Sequence, residues 1–189
     1  MVNETIEILK FLISNKKERF SIRKISKIRK INYKSAYNSL KFLEKEKIAT
    51  LERVGNTIIC SFNNKFNDLV FKAEYLRRGE ILKNKDFLIA YNRLADLKFS
   101  FIALLFGSYA DGTATKHSDI DLLTIGGDEK EIKRVISIFP EKIHLTSVSY
   151  EDFIHMTKSR EFNVVNEAIK NNILLIGIEE YYRLLENAG

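Results

Sequence analysis

The sequence predicts an α+β protein of two modules, and three observations predict it. Basic charge is confined to the first third: residues 1–62 carry fourteen Lys or Arg against six Asp or Glu, a net +8, while the remainder carries seventeen against nineteen, a net −2. That first third reads as helices of 3.6-residue periodicity followed by two short strands. The second half holds two apolar, β-branched and aromatic runs, 99–106 and 120–125, separated by a polar loop that opens with Gly107-Ser108 and closes with Asp119-Ile120-Asp121. Strand, turn, loop, strand between helical segments is the pattern of a small mixed β-sheet flanked by helices.

With 189 residues the chain can bury a proper core without staples. The one cysteine, Cys60, excludes an internal disulfide, and no basic stretch followed by an apolar one opens the sequence, so the expected location is the reducing cytoplasm. There is no apolar run long enough to cross a bilayer, so no membrane partner is expected.

The first helix is expected from Asn3 as N-cap, with Ile6, Leu9, Phe11, Leu12 and Ile13 marking its amphipathic pattern, stopping near Ser14-Asn15. Ser21 is the expected N-cap of a second helix, Ile22, Ile25 and Ile28 inward and Arg23, Lys24, Lys27, Arg29 and Lys30 outward. A third, over 33–46, buries Ala36, Leu40 and Leu43. Strands over 48–53 and 57–62 are joined by Val54-Gly55-Asn56, where Gly and Asn accept positive φ. Cys60 is a small apolar filler.

Three helices and a hairpin in this order resemble a winged helix-turn-helix. The resemblance implies DNA binding, with the third helix in the major groove and the hairpin on the backbone or minor groove. Carried over position by position, Asn32, Tyr33, Lys34, Ser35 and Asn38 face bases or phosphates, and Arg53 and Asn56 lie on the wing. Tyr33 and Tyr37 are expected to pack at the helix start rather than to stack on bases. Basic helical faces are also simply solvated in many proteins, and winged folds also serve as protein docks.

Residues 64–82 continue helical spacing without Pro, and Gly79 is the expected break. A helix from about Asp86 presents Phe87, Ala90, Tyr91, Leu94 and Leu97 to the sheet. After the second strand, Gly126-Gly127 closes it and Asp128 opens a helix over 129–139 that Pro140 ends. A third strand over 142–148, helices near 150 and over 163–171, a strand at 173–177 and a last short helix complete the chain. The expected domains are therefore 1–63, a helical connector 64–98, and 99–189.

In a strand, side chains at i and i+2 share a face about 6.5–7 Å apart, so Asp119 and Asp121 present two carboxylates together while Ile120 and Leu122 face the core. Like charges so placed need a cation, and Mg²⁺ prefers carboxylates with phosphate oxygens and water. Gly107 lets the backbone approach closely, and the turn amides with the Ser108 hydroxyl suit anionic oxygens. Gly-Ser alone is an ordinary turn; its joint occurrence with the paired acids between apolar strands is what carries weight.

Gly107-Ser108, ten residues, then Asp119-Ile120-Asp121, with Ser118 before the first acid, resembles the DNA polymerase beta-type nucleotidyltransferases, and among them the minimal nucleotidyltransferases. The resemblance implies that Asp119 and Asp121 are catalytic and hold Mg²⁺, that Gly107 and Ser108 bind a nucleoside triphosphate, and that a nucleotidyl group passes to a hydroxyl acceptor. Active members carry a third acid on the strand after the next helix. Here that strand reads KIHLTSVS, its slot falls on His144 or Thr146, and Glu141 precedes it. Three functions follow: a DNA-binding nucleotidyltransferase, a transcriptional regulator whose nucleotidyltransferase fold is catalytically silent, or a toxin-antitoxin component with a helical partner. Analogy with winged-helix regulators adds a homodimer.

Overall fold

A computed structural model describes residues 2–137, 139, 142–159 and 161–188. The chain divides into two compact units, Met1–Ala73 and Glu74–Gly189.

In the first unit, α1 (Val2–Ile13) buries Ile6, Ile8, Leu9, Leu12 and Ile13. Asn3 lies inside this helix rather than capping it. The chain then forms a two-residue strand, β1 (Phe20–Ser21), which pattern alone does not predict because its only support is pairing with a strand forty residues later. Ser21 caps α2 (Ile22–Arg29), its side chain accepting from the Lys24 amide. Lys30, at φ 53°, ends that helix in the left-handed region. Ile22 and Ile25 are buried, but Ile28 is 47% exposed; the inward face turns instead through Ser26.

Asn32 caps α3 (Tyr33–Lys45), which buries Ala36, Ser39, Leu40 and Leu43. The hairpin pairs β2 (Ala49–Val54) with β3 (Thr57–Phe62), in register Val54↔Thr57, leaving the two-residue loop Gly55-Asn56. Gly55 has φ +58° and Asn56 does not join it, so the turn needs only one left-handed residue. The three strands lie in the order β1-β3-β2, all antiparallel. Cys60 is fully buried, and its thiol donates to the Phe20 carbonyl at 2.9 Å.

The boundary between the units falls within α4 (Asp68–Ile81). Gly79 does not interrupt this helix. In the second unit, Asn84 caps α5 (Lys85–Ala95), and four strands form a mixed sheet: β4 (Ile102–Phe106), β5 (Ile120–Ile125), β6 (Ile143–Val148) and β7 (Ile173–Ile176), in the order β6-β5-β4-β7. β4 is antiparallel to both β5 and β7, and β6 is parallel to β5 across the helix α7 (Glu129–Ile136). The first strand starts three residues later than the apolar run does. Asp128 caps α7 as expected, but α7 stops at Ile136; the expectations for Pro140 and Glu141 fall outside the described residues.

Alternation along the strands decides the layers. Ala103, Leu105, Ile120 and Leu122 share one core with Phe87 and Leu94 of α5 and Ile132 and Ile136 of α7. Helices α8 (Tyr150–Lys158), α9 (Val164–Lys170) and α10 (Ile178–Ala188) complete the unit, burying Phe153, Val165, Ala168, Tyr181 and Tyr182. A buried polar group ties α4 to them: Glu74 accepts from Arg77 at 2.6 Å and from the Tyr182 hydroxyl at 2.7 Å, and Arg77 donates to the Asn172 carbonyl at 2.6 Å. Burial raises the Tyr182 phenol well above its ordinary range, so it remains the donor. Among the described residues no helix is long and apolar enough to cross a membrane.

Burial also pushes the Cys60 thiol up to about 11 from 9.0. The unfolded thiol ionises first as pH rises, so this group's contribution to stability is fully present below pH 9 and is lost as pH climbs towards 11. Cys60 should therefore resist iodoacetamide at pH 8 in the native protein and react readily in denaturant, as measured by mass spectrometry.

Candidate functional site

The site is assembled at the end of β4. Antiparallel register places Phe106 opposite Asp121, so the chain leaving β4 passes directly beside that carboxylate. Gly107 follows at φ 64°, ψ −147°, a conformation close to the region that only glycine occupies without strain. A Cβ on Gly107 would lie 2.5 Å from Asp121 Oδ2. Both the backbone angle and the lack of space demand glycine here, and the reason for the second is the acid itself.

After Gly107 the chain turns at once into a single helical turn, α6 (Ser108–Asp111), where the loop pattern suggests none. Asp111 N–H donates to the Gly107 carbonyl, so the first amides of the turn have no acceptor within the helix, and no side chain caps them. α6 is anchored from behind: Asn171 Nδ2 donates to the Ala110 carbonyl at 2.9 Å and to Asp111 Oδ1 at 2.8 Å. Tyr109 packs edge-on against Phe87, ring centroids 5.1 Å apart. Thr115 N–H donates to the Ser118 hydroxyl at 2.9 Å and shapes the loop before β5.

The two predicted acids have different surroundings. Asp121 lies inside β5, half-buried, with its neighbours Ile120 and Leu122 in the core. Asp119 precedes the strand and is exposed. Each meets a basic residue entering or within β6. Lys142 Nζ donates to Asp119 Oδ2 at 2.6 Å, and the Ile120 amide donates to the Lys142 carbonyl at 3.0 Å. The Asp119 hydrogen bond holds the Lys142 ammonium above its usual range, so it stays charged. Parallel register puts His144 opposite Asp121, with Nδ1 3.5 Å from Oδ1, and Thr146 opposite Leu123. Among the described residues no group of three or more His, Cys, Asp or Glu is arranged to hold a metal.

Oxygen donors from Asp119 and Asp121 are the type a hard divalent cation takes, with its remaining ligands supplied by an anionic substrate and water. Gly107 and the open amides from Ser108 onward are the type that contacts phosphate oxygens. The residues thus fit a cation shared with a phosphate.

A second cluster lies in the N-terminal unit. Tyr33, Arg53 and Asn56 line one cleft of about 740 Å³ together with Arg23 and Lys27. Tyr33 is 51% exposed and does not pack at the helix start as expected. Lys34 and Asn38 are exposed on α3 and Ser35 is half-buried, but they do not line this cleft. The Asn32 Oδ1 is engaged as the helix cap at 2.8 Å from the Lys34 amide. Arg23 and Lys27 read only as outward basic residues in the sequence; meeting Arg53 across the cleft depends on the fold.

Residues 95–181 match the family model described as Polymerase beta, Nucleotidyltransferase. This region carries the nucleotidyltransferase fold. Neither a curated protein nor a solved structure matches the chain.

Gly107→Ala should cost the protein about 1–3 kcal/mol in denaturant unfolding, because the strained φ and the Asp121 contact act together. Gly79→Ala is the control: the position is helical with open space around it, so the change should be stabilising by about 0.5–1 kcal/mol.

Proposed function

We propose that this is a DNA-binding protein whose C-terminal domain binds a Mg²⁺–nucleoside triphosphate and transfers the nucleotidyl group to a hydroxyl acceptor. The observation that carries the reading is the approach of Gly107 to the Asp121 carboxylate, which joins the two halves of the motif at one point. The match over residues 95–181 supports it.

On this reading Asp119 and Asp121 would hold Mg²⁺. Bound there, the ion would neutralise phosphate charge and stabilise the leaving group. Gly107 and Ser108 anchor the phosphates, leaving the α-phosphorus towards the acceptor. The acceptor oxygen bonds to that phosphorus, the bond to the β-phosphate breaks, and pyrophosphate departs. His144, beside Asp121, is the group nearest the slot in which a third acid would take the hydroxyl proton.

A second reading is favoured by one observation. Lys142 and His144 stand opposite both acids, so β6 meets them with basic residues rather than another carboxylate. A nucleotidyltransferase fold of this kind serves as a nucleotide-responsive regulator without turnover. Incubation with each labelled nucleoside triphosphate, Mg²⁺ and cell extract separates the two. Label transfer that disappears in the Asp119→Ala, Asp121→Ala double variant supports the enzyme. Absence of transfer alongside tight DNA binding supports the regulator.

The N-terminal unit is proposed to be a winged-helix module that meets duplex DNA. Its net +8 charge, the element order α1-β1-α2-α3-β2-β3, and the basic cleft of Arg23, Lys27 and Arg53 support this. Phosphate contacts release counterions, so affinity falls with salt in proportion to their number. Lys34→Ala with Arg53→Ala should weaken duplex binding and flatten the log–log salt slope by about 1–2. Fluorescence anisotropy across a salt series measures it, and an unchanged slope contradicts these contacts.

A further inference from the structure

Asp119 and Lys142 are brought together by pairing that is not local. β5 and β6 run parallel with Ile120 beside Ile143, so the residues entering each strand stand side by side. The Lys142 ammonium then reaches Asp119 Oδ2 at 2.6 Å. The ammonium therefore occupies one of the two oxygens that Asp119 could offer a divalent cation, and the bond is easily broken. Lys142 is 79% exposed and Asp119 46%, and ion pairs so open to water contribute little to stability.

A metal ion arriving alone meets a competing positive charge. It must displace the ammonium and then sit near it, bringing no anion of its own to receive the displaced lysine. A metal ion arriving on a polyphosphate brings that anion with it. The flexible four-carbon stem of lysine lets the ammonium move from one acceptor to the other, and as a compact point charge it suits a phosphate oxygen.

We propose that Lys142 is an exchange cation, resting on Asp119 before ligand arrives and passing to the polyphosphate when the metal takes that carboxylate, so that metal and nucleotide enter as a unit. The inference rests on the nucleotide-site reading and deepens it by giving the order of binding and a further phosphate contact. No bond is made or broken and no proton moves, since the lysine is charged on either partner. Exchange predicts opposite effects on two ligands. Without the ammonium, bare metal loses a competitor and polyphosphate loses a contact. A merely structural role for Lys142 would shift both affinities together or neither.

The test is calorimetry on the full chain as wild type, Lys142→Gln and Lys142→Arg, with two probes: Mn²⁺ alone, and inorganic tripolyphosphate with Mg²⁺. The exposed position lets all three proteins fold. In Lys142→Gln, Mn²⁺ should bind about three- to tenfold tighter and tripolyphosphate about three- to tenfold weaker, while Lys142→Arg stays near wild type for both. If tripolyphosphate binds but Lys142→Gln changes both affinities in the same direction, or neither, the exchange is overturned and the nucleotide site stands. If neither probe binds any of the three proteins, the nucleotide site falls and the exchange with it.

Discussion

The close approach of the Gly107 backbone to the Asp121 carboxylate is the constraint on which the C-terminal unit depends. It follows from the register that sets Phe106 against Asp121, and that register follows from which side chains the sheet must bury. Slipping β5 by one residue would turn Ile120 and Leu122 out of their core and drive the acids into it. The apolar face therefore fixes the polar site. An acid inside a strand, against a turn that tolerates no side chain, is an expensive arrangement for a surface loop.

Around that point the fold supplies rigidity from behind. Asn171 holds α6, and the next residue, Asn172, accepts from the buried Arg77 that also meets Glu74. A buried ion pair of this sort is poor evidence of net stability, because desolvation offsets much of the attraction; its value is that breaking one partner strands the other. The Tyr182 hydroxyl and the Asn172 contact to Tyr181 complete the set, so the element behind α6 has few ways to rearrange. In the proposed mechanism this preorganisation is what the chain itself contributes, with the charge of any bound metal added to it.

Much of this was legible in sequence where the signal is local. The paired acids, the Gly-Ser turn, the apolar strands on both sides and the caps at Ser21 and Asp128 all declare themselves within a few residues. What escaped depends on partners distant in the chain. β1 exists only because β3 is beside it, and α6 is one helical turn with no room for periodicity. Ile28 and Tyr33 are exposed because helix faces rotate against neighbours that the sequence does not identify. Gly79 is a break by local pattern, but a glycine in a helix weakens it without ending it when the rest of the helix is anchored. The pairing of Lys142 and His144 with the two acids required the parallel register of β5 and β6, which no pattern in either strand specifies.

Those two basic residues make the site more than a copy of its motif. They stand beside the acids where a third carboxylate is expected, and they are the reason binding and turnover are separate questions for this chain. The shared claim under both readings is that Gly107, Ser108, Asp119 and Asp121 surround one metal–nucleotide complex. Paramagnetic broadening of backbone amide resonances by Mn²⁺ with a nucleoside triphosphate tests that claim most directly. The account predicts selective loss of signals from residues 107–110 and 119–122; broadening centred elsewhere, or none at saturating nucleotide, would contradict it.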